Sequence, residues 1–179
     1  MHDRLEHNHR MAQLLSPDLT LDQYGEVLQR FHALIDPFEN HLCNYESDWD
    51  RLGYPALNRT KTSRLLRDLD WLGIQPLSTA EIPDDAVLAC HCFPALLGSL
   101  YVIEGSSMGG RVITRHLQKH LNIQPDSGGA YFFGDGPQTH RHWRTFQNML
   151  ENYSSLDYDT DATVAAACDA FSTFDRMLQ

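Results

Sequence analysis

The sequence predicts an all-α protein, a compact single-domain helical bundle, and three observations carry that prediction. Apolar residues recur at spacings of three and four, no stretch alternates with period two over a useful length, and several apolar stripes begin or end on capping residues. The length of 179 residues fits one domain, expected to span 1–179, with little room for a second complete one.

Leu5, Met11, Leu14 and Leu15, ending before Ser16-Pro17, predict a short first helix. Leu21, Tyr24, Val27, Leu28, Phe31, Leu34, Ile35, Phe38 and Leu42 fall on one face of a long second one. Thr20, with Gln23 three residues later, forms a capping box at its start, and Pro37 is expected to kink its far end. Leu65, Leu66, Leu69 and Leu72 repeat the pattern, with Gly73 as a C-terminal stop and Pro76 beyond it. The stretch Pro94 to Leu121 reads as helix. Trp143, Phe146, Met149 and Leu150 mark another, and Val164, Ala167, Cys168, Phe171, Phe174 and Leu178 mark the last.

The Pro94–Leu121 stretch carries Gly98, Gly105, Gly109 and Gly110. A helical glycine costs about 1 kcal/mol relative to alanine, so the three from Gly105 onward imply roughly 3 kcal/mol of lost helical preference. Two explanations compete. A neighbouring helix packs backbone to backbone, or a flat ligand lies against the helix where side chains would collide.

Composition narrows the function classes. Fourteen Lys and Arg against 24 Asp and Glu give a net charge of −10, a field that repels nucleic-acid phosphates and anionic lipid. The start, Met1-His2-Asp3-Arg4-Leu5-Glu6, has no apolar leader core, and the nearly apolar run from Pro94 to Ile103 is far shorter than a membrane span. A cytoplasmic protein with no membrane and no nucleic-acid partner is expected. Cys43, Cys90, Cys92 and Cys168 read as free thiols.

Ten histidines are the unusual count. His116 and His120 share a helix face at metal-ligand spacing, but beside Arg115 and Lys119 they read first as a polar face. In Cys90-His91-Cys92 neighbouring side chains diverge too far to share a small ion. His140 and His142 flank Arg141 at a helix start, a weak anion-side pattern. His7, His32 and His41 read as surface or boundary residues. Glu6 and His9 make one Glu-x-x-His pair; a di-metal bundle needs a second, which the sequence lacks.

The segment Leu100–Ile113, LYVIEGSSMGGRVI, resembles the distal-helix motif of the haem oxygenases, especially the bacterial branch that supplies bilin pigment to phytochromes. His2-Asp3-Arg4-Leu5-Glu6, then Leu14 to Leu21 and Tyr24, is similar to that branch's proximal-histidine helix and the turn after it. Lys61–Gly73, the stretch from Phe132-Phe133-Gly134 to Trp143 and Phe146, and the alanine-rich C-terminal helix with Phe171 extend the likeness over nearly the whole chain.

The resemblance implies a haem oxygenase-like bundle and favours the ligand explanation of the glycines. It implies an enzyme that uses O₂ and an external electron donor, a reductase or ferredoxin, to open haem to biliverdin, releasing CO and ferrous iron. Haem is then both cofactor and substrate, and a phytochrome is a possible recipient of the biliverdin. By position His2 matches the proximal iron ligand, with His9, two turns on, in reserve. Gly105, Gly109 and Gly110 match the distal glycines. Ser106 stands where the animal enzymes carry an aspartate, so Gly105, Ser106 and Gly109 are the expected reaction-side residues. A serine hydroxyl donates and accepts but carries no charge. Arg144, with Arg141 and Arg111, is expected to meet the haem carboxylates, and Tyr101 and Phe132 to pack near the ligand. The alternative is a catalytically inactive protein of the same fold that binds haem, a bilin or a partner helix.

Overall fold

Thr20 starts the central helix as the sequence predicts: its hydroxyl accepts from the Gln23 amide at 3.2 Å, and the Gln23 side chain accepts from the Thr20 amide at 3.0 Å. The computed structural model describes residues 9–154 and 159–179, and among these the chain forms nine α-helices and no strand. They are α1 (His9–Gln13), α2 (Leu21–Glu39), α3 (Glu46–Leu52), α4 (Thr62–Leu72), α5 (Phe93–Ser106), α6 (Gly110–Leu121), α7 (Ala130–Phe133), α8 (Thr139–Ser154) and α9 (Thr160–Met177).

α2 ends at Glu39, short of Leu42. Pro37 lies inside it and offers no amide to the preceding turn, so the helix stops two residues later and Leu42 is buried in the 3₁₀ turn Leu42–Tyr45 instead. α4 stops at Gly73 in the left-handed conformation (φ 70°), where the Ile74 amide reaches back to Leu69 at 3.0 Å. Leu66 faces solvent, while the buried face of α4 comprises Leu65, Asp68 and Leu69.

The expected single helix from Pro94 to Leu121 is two. After Ser106 the amides of Ser107, Met108, Gly109 and Gly110 each bond three residues back, at 3.0–3.3 Å, which tightens the chain and re-aims it into α6. α5 is buried along most of its length, and α9 packs along it more extensively than any other pair of helices, with α2 against α4 next. α3, α7 and the 3₁₀ turns were not signalled, because three to seven residues are too few for a period to show. No helix among the described residues is long and apolar enough to cross a membrane, and all four cysteines are free.

Candidate active site

The break between α5 and α6 forms one wall of a cavity of about 430 Å³. Phe31 of α2, Lys61 and Arg64 at the start of α4, Tyr131 and Phe132 of α7, Trp143 of α8, and Phe171 and Phe174 of α9 make the rest, with Met11 of α1 at one side. The size falls within the ~300–1,000 Å³ of small-molecule and cofactor sites, and the lining is mostly apolar and aromatic.

The glycines divide between the two explanations. A Cβ on Gly98 would lie 2.8 Å from the Ala167 amide and against the Thr163 carbonyl, so this glycine exists for the α5–α9 contact. A Cβ on Gly110 would fall well inside 3.0 Å of the Phe132 carbonyl oxygen, again close packing. Gly105 and Gly109 differ. A methyl on Gly105 would meet only the Trp143 ring at 3.5 Å, and on Gly109 only the Ser106 carbonyl at 3.6 Å, both ordinary contacts. These two glycines keep the cavity wall bare, and since neither has positive φ, the missing side chain rather than backbone freedom explains them. The distal half of the cavity therefore fits a flat ligand such as haem.

Ser106 lines the cavity, but its hydroxyl donates to the Ile103 carbonyl at 2.8 Å. Its hydrogen is thereby committed to the helix, leaving only acceptor capacity. Burial pushes the Tyr131 phenol well above its ordinary value. Tyr101 lines the same wall, its ring 5.5 Å from that of Trp143.

Beneath this wall lies an ion network. Glu104, 3% exposed, receives Lys61 Nζ at 2.7 Å and Arg59 Nη2 at 3.2 Å. Arg59 Nη2 also reaches Asp135 at 3.1 Å, and Asp135 takes Arg64 at 2.6 Å and His142 Nδ1 at 2.7 Å. Burial works to raise the Asp135 carboxyl, yet the bonds from His142 and Arg64 and the charges of Arg64 and Arg59 hold it well below the usual carboxylate range. Glu39 bonds the Lys61 and Thr62 amides at 2.6 and 3.0 Å, anchoring the start of α4 where two of these cations sit.

The cations expected to meet the ligand's carboxylates lie on α6 and α8. Arg141 and Arg144 are exposed along a polar depression on α8 that also includes His140. Trp143 lines both that depression and the cavity, which puts the arginines beside the cavity without lining it. Arg111 is exposed and lines neither. Lys61 and Arg64 do line the cavity, and their only sequence signal is two cations three residues apart at a helix start. His2 lies outside the described residues, as do Glu6 and His7; His9 opens α1. His116 Nε2 meets the Ser16 carbonyl at 2.7 Å and its ring stacks on His120 at 4.2 Å, tying α6 to the turn after α1. Among the described residues no group of three or more His, Cys, Asp or Glu is arranged to hold a metal ion.

Comparison with known proteins points to the heme oxygenases. The family model described as heme oxygenase matches residues 1–179. A curated heme oxygenase from Xanthomonas campestris pv. campestris (strain 8004) is 39% identical over 160 residues, covering 88% of this chain and 89% of that protein. The NO- and CO-bound heme oxygenase of Neisseria meningitidis superposes with a TM-score of 0.76 at 19% identity, over 98% of this chain and 86% of that one, a likeness of fold.

Proposed function

The chain belongs to the heme oxygenase family, and on that premise we propose that its cavity takes haem as substrate and cofactor and opens it to biliverdin, CO and ferrous iron. The single observation that carries this reading is the bare wall at Gly105 and Gly109, free of Cβ atoms in an otherwise well-lined apolar cavity. Haem supplies the iron that binds O₂ and the ring carbon that is oxidised.

The chain's own residues have distinct tasks in this reading. His2 is the proximal ligand by its position in the family pattern, with His9 in reserve. Gly105 and Gly109 let the backbone approach the porphyrin face, and Gly110 keeps that backbone in place against Phe132. Arg144 and Arg141, beside the cavity, and Arg111, which does not line it, are the cations this reading assigns to the haem carboxylates; Lys61 and Arg64 line the wall itself but are paired with Glu104 and Asp135. In a chain of net charge −10, a dianionic ligand needs such local cations. Ser106 accepts a hydrogen bond from whatever water or ligand stands on that face. Electrons come from a separate reductase or ferredoxin in the cytoplasm, and a phytochrome is a candidate recipient of the product.

One observation favours a second reading, haem or bilin binding without turnover: the Ser106 hydrogen is committed to Ile103, so this serine is a poor proton supplier to a ligand on that face. A single experiment separates the two. Hemin titration should give a sharp Soret band that His2→Ala removes or shifts. Addition of ascorbate or a ferredoxin system should then replace it with bilin absorption. A Soret band that survives reductant and O₂ would leave only the binding protein.

A further inference from the structure

Asp68 is fully buried on the inner face of α4, in line with Leu65 and Leu69. A carboxylate there costs several kcal/mol unless it is compensated. Its partners are backbone amides: Oδ1 accepts from Ala130 at 2.8 Å and Oδ2 from Tyr131 at 2.7 Å, the first two residues of α7. The same side of α4 holds the preceding loop twice more, through Arg67 on the Pro125 carbonyl at 3.0 Å and through the Trp71 ring, against which Gly128 (φ +85°) is packed. Tyr24 adds a bond from α2 to the Gly128 carbonyl at 2.7 Å.

The segment so fixed presses on the distal turn. The Phe132 carbonyl leaves no room for a methyl on Gly110, and Tyr131, Phe132 and Gly110 all line the cavity. A shift of α7 therefore moves the start of α6 as well, since two backbones in contact have no compressible side chain between them.

We propose that Asp68 is a positioning residue for the distal wall: it fixes α7, and α7, wedged against Gly110, sets how far the Gly105–Gly110 turn stands from the bound ligand. Its bearing on haem chemistry rests on the haem oxygenase reading above; the mechanical coupling from α4 to the distal turn does not.

Hydrogen exchange on the apoprotein tests the coupling. Asp68→Asn keeps the size but turns an amide NH₂ toward one of the two amides it must satisfy. Exchange should accelerate by about tenfold or more at 129–134 and also at 107–113, with α9 unchanged. Acceleration confined to 129–134 overturns the proposal, and so does a uniform rise that includes α9, which would make Asp68 a merely structural residue. Gly110→Ala probes the joint from its other side and should accelerate 129–134; if Asp68→Asn does not fold, this variant decides. With hemin bound, Asp68→Asn and Gly110→Ala should each shift the Soret maximum and raise the hemin dissociation rate, and the double variant should change less than the sum of the two. Full additivity counts against a shared joint. If the wild-type protein binds no hemin, the haem oxygenase reading fails while the exchange result still stands.

Discussion

Lys61 Nζ donates to Glu104 Oε1 at 2.7 Å, with both side chains less than a tenth exposed. The pair joins the first residue before α4 to the last turn of α5, immediately ahead of Gly105 and Ser106. Arg59 occupies the other Glu104 oxygen, so the carboxylate is satisfied on both sides. The turn that forms the distal wall is thus fastened from below by charge, while its upper surface stays bare.

Glu104→Ala should destabilise the apoprotein by about 3–5 kcal/mol, because it leaves Lys61 buried without its carboxylate. Replacing Glu104 and Lys61 together with methionine should recover most of that loss. Urea unfolding measures both; a loss below about 1 kcal/mol in the single variant would show that water reaches the pair.

The glycines should respond in opposite directions. Gly98→Ala and Gly110→Ala are expected to destabilise the apoprotein by about 1–3 kcal/mol through backbone collision. Gly105→Ala meets only ordinary contact, so the apoprotein should gain up to about 1 kcal/mol of helical preference. Hemin affinity should nevertheless fall in Gly105→Ala. Thermal melts with and without hemin separate the two effects, and equal behaviour of all three variants would contradict the division.

Arg144→Ala should weaken hemin binding about two- to fivefold, the scale of an exposed ion pair, and leave binding of hemin dimethyl ester unaltered. If Arg64→Ala instead narrows the gap between hemin and its ester, the carboxylates lie at the α4 end of the cavity.

Asp135 gives the acid limb of stability a definite sign. Its folded pKa is depressed, so its contribution is present above the unfolded value of about 3.9 and is lost as pH falls through that value toward the folded one. Asp68, raised by burial, slopes the other way, its contribution declining as pH rises through its folded pKa. Urea midpoints measured between about pH 5 and pH 2 should fall less steeply in Asp135→Asn than in the wild type. Parallel curves would mean the network does not hold the proton off Asp135.

Long elements were legible because burial imposes a period on them. α2, α4, α8 and α9 announced themselves through leucines and aromatics, and Thr20 and Gly73 marked ends that the structure keeps. The break after Ser106 was not legible as a break, since LYVIEGSSMGG has no proline and its glycines suit either close packing or a ligand. Only contact geometry shows that Gly110 belongs to the first and that no close packing accounts for Gly105. The cavity cations escaped notice for a related reason. Lys61 and Arg64 look like any solvated helix start until folding brings Glu104 and Asp135 to them from 43 and 71 residues away. Asp68 in a leucine stripe was the one local irregularity, and its partners lie 62 and 63 residues further on.

Within its fourteen residues α5 is held in two different ways. At Gly98 it meets α9 with no space for even a methyl group, and at Glu104 it is pinned by Lys61 and Arg59. A rod interlocked at one point and tied by charge at another has little freedom to slide along its axis, and the change of direction after Ser106 falls just beyond the second tie. The cavity wall thus inherits its position from two distant parts of the chain, the last helix and the approach to α4.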